Sequence, residues 1–335
     1  MRVAVTDAEA GLSEVLPDEF HALISGCGLY QPDRAFISLT GSDRVRWLNG
    51  MVTNNVRDLA PGHGVYAFLL NPQGRIQADL YVWHRGDSLL VTTERGQAET
   101  VLQIFDRYII MDDVNVEDVS GKFSAIEISG AKAGEVLAAV FLAQELGPLQ
   151  FAELGWKGAQ VTVMRGDNSA APNYELWVSP EATDSLKSAL LRAGAREIHA
   201  ATFEAFRIAS GVPKFGQDIR QRDLPQETAQ ERALSFSKGC YIGQEIVERI
   251  RSRGAVHRTF AGFEVRGPLP PAGAKIQSGG KDVGEITSIA AVPVASGEQA
   301  VALGYLRKEF LAGRELSAAG AMVSVVPLPL KAAFG

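Results

Sequence analysis

The first third of the chain has short apolar runs separated by polar turn residues. Residues 34–39 are rich in Ala, Phe, Ile and Leu, and residues 40–43, Thr-Gly-Ser-Asp, then offer polar helix-capping side chains. A cap of this kind before Val45, Trp47 and Leu48 predicts a strand followed by a helix.

Two longer apolar runs follow, at 65–70 and 75–83, separated by Asn-Pro-Gln-Gly at 71–74. These four residues are typical of a tight turn, so the two runs predict a β-hairpin. Residues 88–93 predict another strand. In the next segment apolar residues recur at i, i+3, i+4 and i+7, which predicts a helix that carries Val101, Ile104, Phe105 and Tyr108.

The stretch 122–199 predicts the order strand, helix, strand, strand, helix, strand. The predicted strands are 123–128, 160–164, 174–178 and 196–198. The apolar helix positions are Val136, Leu137, Val140 and Phe141 in the first helix and Leu186, Leu190 and Leu191 in the second. This βαββαβ order predicts a ferredoxin-like sheet with helices on one face.

After Gly254, short β-prone segments alternate with Gly and Pro. These segments are 259–265, 275–276, 283–290, 300–306 and 322–326. Many short strands with regular turn signals predict a small antiparallel barrel or sandwich.

Composition narrows the classes of function. The chain has 335 residues, enough for two or three domains, with 46% hydrophobic and 21% charged residues. Its net charge of −6 disfavours a dedicated nucleic-acid-binding protein, which needs a basic surface. The N-terminus lacks the features of a signal peptide, and no run approaches a membrane span of about 20 apolar residues. We therefore expect a cytoplasmic protein without a membrane partner.

The two cysteines, Cys27 and Cys240, encode neither a disulfide framework nor a metal ligand set, so no metal is expected. Cys27 has no charged neighbour, which favours a structural role. Cys240 lies in a glycine-rich loop just before a predicted helix, close to Lys238. A helix N-terminus and a lysine favour a nucleophilic thiolate, whereas a small buried hydrophobe in a turn is the alternative.

A basic stretch follows, with Arg249, Arg251, Arg253, His257 and Arg258. Guanidinium groups pair well with the carboxylates of a polyglutamate tail and with RNA phosphates. A solvated basic surface is the other interpretation.

Two carboxylates are further candidates. Glu204 could accept paired hydrogen bonds from an amino-heterocycle such as a pterin, although a Glu three residues before Arg207 also suits an intrahelical ion pair. Asp79 is a lone carboxylate on an apolar strand that could face a cleft. No catalytic triad, metal-binding histidine pair, phosphate loop or dinucleotide fingerprint accompanies them.

Three separated segments together resemble one family. The first, 41–79, contains Trp-Leu-Asn-Gly-Met-Val-Thr-Asn-Asn-Val and Asn-Pro-Gln-Gly-Arg-Ile; the second is 204–218; the third, 238–245, is Lys-Gly-Cys-Tyr-Ile-Gly-Gln-Glu. Their order and character resemble the YgfZ-type folate-binding proteins, for which the third segment is a specific signature. The first two segments are shared with the aminomethyltransferase, or T-protein, of glycine cleavage.

This resemblance implies an α+β fold in which three domains form a ring around a tetrahydrofolate pocket. The expected domains are a discontinuous folate-cradling α+β domain (1–121 and 200–253), a ferredoxin-like middle domain (122–199) and a C-terminal antiparallel β-barrel (254–335). No metal of its own is implied.

The resemblance also implies roles for particular residues. It places Glu204 and Arg34 at the folate-facing wall, and Cys240 with Lys238 at a functional surface near the pocket. Further candidates for folate contacts are Arg207, Tyr241, Gln244 and Arg253. Asp79 would act near the folate in an aminomethyl transfer.

The expected function is that of a tetrahydrofolate-binding accessory protein for the assembly or repair of iron–sulfur enzymes, including those that modify tRNA, with Cys240 supplying a thiol. The folate is expected with or without a polyglutamate tail, and any link to tRNA is expected to be indirect. The alternatives are a folate-dependent aminomethyltransferase and a tRNA-binding module. Two departures disfavour the aminomethyltransferase: Ala78-Asp79 replaces the Asp-Asp pair of the T-protein, and the T-protein lacks the Lys-Gly-Cys signature. Asn55 stands where both groups commonly carry an aspartate.

Overall fold

The computed structural model of the protein describes residues 4–7, 10–141, 145–254, 256–312 and 315–334. In the first half, the elements in chain order are β1 (Ala4–Asp7), β2 (Ala10–Glu14), α1 (Pro17–Ser25), β3 (Gly28–Tyr30), β4 (Arg34–Thr40), α2 (Arg44–Met51), β5 (Gly64–Leu70), β6 (Ile76–His84), β7 (Leu89–Glu94), α3 (Ala98–Tyr108), β8 (Asn115–Asp118), β9 (Ser124–Ser129), α4 (Ala133–Val140), β10 (Phe151–Trp156) and β11 (Ala159–Arg165).

In the second half, the elements in chain order are β12 (Asn173–Val178), α5 (Pro180–Arg192), β13 (Arg196–Glu197), α6 (Ala200–Ser210), α7 (Gln244–Arg253), β14 (Arg258–Arg266), β15 (Lys275–Ser278), β16 (Lys281–Val294), β17 (Gly297–Arg307), β18 (Leu316–Ala318), β19 (Ala321–Val326) and α8 (Lys331–Phe334).

The first sheet is antiparallel, with the strand order β5-β6-β7-β4-β8. The predicted hairpin is confirmed as β5 and β6, and its turn is closed by a 2.9 Å hydrogen bond from the Asn71 amide to the Arg75 carbonyl. Trp47 of α2 and Phe105 of α3 pack edge to face, with ring centroids 5.2 Å apart, in the core on one side of this sheet. The predicted helices at α2 and α3 are thus confirmed.

The second sheet has the order β10-β11-β12-β9-β3-β13. The predicted βαββαβ elements are confirmed as β9, α4, β11, β12, α5 and β13. Two strands were not predicted: β10 extends the outer edge, and β3 lies between β9 and β13. The ferredoxin-like sheet is therefore completed by chain that precedes it in sequence.

The two faces of the second sheet differ. Ile126 and Leu176 pack against Leu137 of α4 and Leu186 of α5, so the helices cover one face. Because side chains alternate along a strand, Glu127, Glu175 and Trp177 point to the other face. There the Trp177 ring meets Trp83 of the first sheet at a centroid distance of 5.5 Å.

The C-terminal strands form a closed antiparallel barrel in the order β14-β17-β16-β15-β18-β19. This decides between the predicted barrel and sandwich in favour of the barrel. Helix α6 packs between α1 and the barrel strands β16 and β17, with Phe206 edge-to-face against Phe20. The domain boundaries themselves stay a prediction. Among the described helices, none is long and apolar enough to cross a membrane.

Candidate functional site

A cavity of about 700 Å³ lies between the two sheets, the segment after α6 and the barrel. The second sheet contributes the face that bears Glu127 and Glu175. Pockets of 300–1,000 Å³ that join apolar walls with a few polar groups are typical ligand sites. The aromatic side chains on its walls are Tyr66, Tyr81, Phe203, Phe206, Phe215 and Phe260. We take this cavity as the candidate site.

Asp79 lines the cavity from β6. Ala78 and Leu80 are buried in the core, so strand alternation turns Asp79 to the opposite face. One carboxylate oxygen accepts a 2.7 Å hydrogen bond from the Tyr66 hydroxyl, and the other accepts a 2.8 Å bond from Gln97. The predicted cleft-facing position of Asp79 thus agrees with the geometry, and both of its oxygens are held in place.

A second polar group on the wall joins Asp167, Tyr81 and Arg232. The Tyr81 hydroxyl donates to Asp167 over 3.2 Å, and the Arg232 guanidinium forms an ion pair with the same carboxylate. Arg232 also lies over the Tyr66 ring, 4.3 Å from its centroid. Burial and the nearby Asp79 charge raise the pKa of Tyr66 well above its ordinary value, so this hydroxyl is a hydrogen-bond donor at neutral pH.

Arg34, which the resemblance placed at the folate wall, lines the cavity and pairs with Glu175. Its Nε lies 3.0 Å from one Glu175 oxygen, while the Trp177 indole donates to the other over 2.7 Å. Glu127 lies on the neighbouring strand. Burial, together with the charge of Glu175, raises the pKa of Glu127 to about 7.

Lys214 enters the cavity from the segment after α6. Arg34, Arg207 and Arg232 are the other cations on the wall, and each is paired with a carboxylate. Within the part of the chain that the structure describes, the Lys214 ammonium has no ion-pair or hydrogen-bond partner. It is therefore a positive charge available to an anionic ligand group.

Glu204 does not line the cavity. It forms a two-armed ion pair with Arg207 along α6, at 2.7 and 2.9 Å. Although burial opposes ionisation, the Arg207 charge holds the pKa of Glu204 below its ordinary value. Arg207 does reach the cavity wall, and it also contacts Asp218 at 2.8 Å and Ser288 of the barrel at 3.0 Å. The intrahelical pair is thus present, and a folate contact by Glu204 stays a prediction.

Lys238 is buried and is not among the residues that line the cavity. Its ammonium donates to the main-chain oxygens of Asn49 in the last turn of α2 and of Val52 and Asn54 just after it, with distances of 2.6 Å to Val52 and 2.8 Å to Asn54. Burial and the nearby Arg57 charge lower the pKa of Lys238 to about 7. These contacts anchor the loop that carries Cys240.

Cys240 is exposed, in contrast to the buried Cys27. The loop continues to Gly243, which precedes α7 and has a φ of 80°. A Cβ at this position would come within 2.7 Å of the Asn71 carbonyl oxygen. Only glycine allows this approach between the loop and the turn of the β5–β6 hairpin. The first and third of the segments that carry the resemblance are therefore in contact in the structure.

The remaining predicted contacts lie around this loop, outside the cavity lining. The Lys238 ammonium lies over the ring of the buried Tyr241, 5.0 Å from the ring centroid. Gln244 is the first residue of α7. Arg253 is the last residue of α7, and its side chain lies outside the described part of the structure. Contacts from these residues to a folate stay predictions.

Two arginines of the basic stretch are occupied. Arg251 lies over the Phe236 ring and near Glu248, and Arg258 pairs with Asp223 and Glu227. Because of these contacts, the two guanidinium groups have less charge and fewer N–H donors available for phosphates.

Sequence reasoning missed several cavity residues, namely Tyr66, Tyr81, Glu127, Asp167, Glu175, Lys214 and Arg232. A signal was available for two of them. Glu127 and Glu175 each interrupt an otherwise apolar predicted strand, as Asp79 does, and a carboxylate at such a position is expensive unless it is paired or functional. Lys214 and Asp167 lie in loops and Arg232 lies in a short 3₁₀ helix, and only the fold brings them together.

Comparison with known proteins matches two families to the chain. The family profile of the GCVT N-terminal domain matches residues 7–238, and that of the CAF17 C-terminal beta-barrel domain matches residues 257–329. The second match covers all six strands of the observed barrel.

Similar individual proteins carry several names. A chloroplastic protein of Arabidopsis thaliana named as a transferase is 24% identical over 82% of this chain and 63% of its own, so the chain spans less than two thirds of that relative. The aminomethyltransferase of Rubrobacter xylanophilus is 26% identical over 93% of this chain and 85% of its own. The tRNA-modifying protein YgfZ of Yersinia enterocolitica is 28% identical over 70% and 71%.

Among solved structures, the glycine cleavage system aminomethyltransferase T of Bartonella henselae has a TM-score of 0.85 and 20% identity, and the match covers 98% of this chain and 94% of that one. This likeness confirms the predicted α+β fold class with its C-terminal antiparallel barrel. Because the GCVT profile covers more than half of the sequence, the chain belongs to the GCVT family, with a C-terminal barrel of the CAF17 type.

Proposed function

We propose that the chain binds tetrahydrofolate in the central cavity and acts as a folate-dependent accessory protein of the YgfZ type. The observation that carries the proposal is that one cavity holds a buried carboxylate, a half-buried carboxylate and an ammonium group that is unpaired among the described residues. Glu175 and Asp79 present acceptors, and Lys214 presents a cation. A folate has the complementary groups, since its pterin carries N–H donors and its glutamate carries carboxylates.

The size and surface of the cavity also fit this ligand. A volume of about 700 Å³ suits a molecule of folate size, and aromatic side chains such as Tyr81 and Phe203 provide flat apolar walls for its rings. When bound, tetrahydrofolate supplies nitrogen atoms that carry one-carbon units. Arg34 would act by holding the Glu175 side chain in its orientation. Arg207, braced by Glu204, would fix the wall between α6 and the barrel.

Cys240 is proposed to supply the thiol of the accessory function. It is exposed and belongs to a loop that Lys238 anchors to the end of α2. The name of the YgfZ relative, a tRNA-modifying protein, supports a role in tRNA modification. We propose that the chain fulfils this role by serving iron–sulfur enzymes, including those that modify tRNA, in the cytoplasm. The tRNA itself would then be contacted by the client enzymes.

An aminomethyltransferase is the second candidate, because the relative from Rubrobacter xylanophilus carries that name and Asp79 faces the cavity. The two candidates separate by mutation. Asp79→Asn would abolish tetrahydrofolate-dependent aminomethyl transfer, whereas Cys240→Ser would spare it. For the accessory function, Cys240→Ser would fail to restore iron–sulfur enzyme activity in cells that lack the protein, while an exposed control, Lys281→Met, would restore it.

Calorimetric titration tests the folate proposal directly. The ligands are tetrahydrofolate and 6-methyltetrahydropterin, which lacks the glutamate. Lys214→Met should weaken tetrahydrofolate binding about tenfold, the loss expected for a charge-assisted contact, and leave the pterin unaffected. Glu175→Gln should weaken both ligands. Absence of saturable binding to the wild-type protein would refute the proposal.

A further inference from the structure

Two buried glutamates stand side by side on the wall of the cavity. Glu127 of β9 and Glu175 of β12 are direct partners in the antiparallel ladder. Directly opposite residues have their Cβ atoms about 5 Å apart on the same face of the sheet. Both side chains line the cavity, and Glu127 and Glu175 are only 9% and 4% exposed. Little water reaches them to screen their charges.

The neighbouring groups contact the two carboxyl groups unequally. Arg34 and Trp177 each donate a hydrogen bond to Glu175. The Asn173 side chain acts to lower the pKa of Glu127, and the direct neighbour of Glu127 on β3 is Tyr30. Among the described residues, Glu127 has no ion-pair partner. The two adjacent carboxyl groups thus share the charge of one guanidinium, that of Arg34. Protonation of one carboxyl group removes the repulsion between them.

We propose that Glu127 is the protonated member of this pair and donates a hydrogen bond to the ligand, specifically to the 4-oxo oxygen of a pterin. The assignment rests on the proposed folate function and deepens it. A carboxylate beside a carboxylic acid presents an acceptor next to a donor. A heterocycle edge with N–H next to C=O has the complementary arrangement, as in the 2-amino-4-oxopteridine ring.

Because the donor is the titratable proton of Glu127, the preference of the site for a 4-oxo over a 4-amino ligand depends on pH. Burial and Glu175 raise the pKa of Glu127 to about 7, against the opposing effects of Arg34 and Asn173. Below that pH, Glu127 donates. Above it, the carboxylate repels the 4-oxo oxygen and accepts from a 4-amino group instead. Each pH unit above the pKa should weaken a proton-requiring ligand up to tenfold.

Calorimetry between about pH 6 and about pH 9, which brackets this titration, tests the inference. The probes are tetrahydrofolate and its 4-amino analogue, and two buffers of different ionisation enthalpy report proton uptake. For the wild type, tetrahydrofolate binding should weaken as the pH rises above 7 and be accompanied by proton uptake, while the analogue should bind more tightly. Glu127→Gln keeps an N–H donor at every pH, so its tetrahydrofolate affinity should be constant.

Glu135→Gln, on the exposed surface of α4, is the matched control and should keep the wild-type profile. Saturable tetrahydrofolate binding that is flat with pH and takes up no proton in the wild type would overturn the inference while leaving the proposed function intact. Failure of the wild type to bind tetrahydrofolate at any pH would overturn the proposed function, and this ligand assignment with it.

Discussion

The Lys238 ammonium donates a 2.6 Å hydrogen bond to the main-chain oxygen of Val52, although 186 residues separate them in sequence. Asn49 and Asn54 contribute further oxygens to the same ammonium. The Asn49 carbonyl belongs to the last turn of α2 and the other two follow it. Carbonyls at the end of a helix have no intrahelical partner, and the dipole there favours a cation. Lys238 thus ties the cysteine loop to the end of α2.

Replacing Lys238 by Met should destabilise the protein by roughly 2–4 kcal/mol, because several buried carbonyl groups lose their donor. Urea unfolding measures the loss, and Lys281→Met on the exposed edge of β16 is the control with little expected change. A Lys238→Met protein of wild-type stability that still loses cellular function would instead assign Lys238 a chemical role.

The two thiols should react very differently. Cys27 is 2% exposed, and burial raises the pKa of its thiol to about 12, whereas Cys240 is exposed. Because the thiolate is the reacting form, native protein treated with iodoacetamide should gain a single adduct, on Cys240. Mass spectrometry of the native, unfolded and Cys240→Ser proteins checks this. Modification of Cys27 in the native protein would contradict the described burial.

Arg207 should matter for stability as well as for the cavity wall. It neutralises Glu204 and the fully buried Asp218, so Arg207→Met leaves buried charge uncompensated, at a cost of about 3–5 kcal/mol. Arg196→Met removes an exposed pair with Asp18 and should cost less than about 1 kcal/mol. Equal effects of the two substitutions in denaturant unfolding would contradict the central position of Arg207.

Glu127 gives the stability of the ligand-free protein a predictable pH dependence. A folded pKa of about 7, raised from 4.5, means that the native state binds more protons than the unfolded state in this window. The Glu127 contribution is therefore fully present below pH 4.5 and is lost as the pH rises through 7, by about 3 kcal/mol at most. Relative to wild type, Glu127→Gln should gain stability from acidic to slightly basic pH. A constant difference would contradict a raised pKa.

Local sequence patterns predicted much of the architecture because they record burial periodicity. Alternation and turn residues identify the β5–β6 hairpin, and helical spacing identifies α3. The edge strand β10 was missed, since Glu153 and Gly155 interrupt its apolar pattern. The position of β3 inside the second sheet depends on a long-range pairing, to which short apolar strands give no local clue.

The candidate site was less accessible from sequence. Arg34, Asp79 and Arg207 were singled out and do line the cavity. Lys214 and Asp167 belong to loops and Arg232 to a short 3₁₀ helix, and these segments meet only through the assembly of the sheets and the barrel. The sequence around Glu204 allowed two interpretations. A glutamate three residues before an arginine could contact a ligand or form an intrahelical ion pair, and the structure contains the ion pair.

A crystal structure of the protein with tetrahydrofolate tests the central proposal most directly. We expect ligand density inside the cavity bounded by Arg34, Asp79 and Lys214, with the pterin against Glu175 and Glu127 and the glutamate carboxylates at Lys214. Density confined to another surface, such as the loop around Cys240, would contradict a folate site in the cavity.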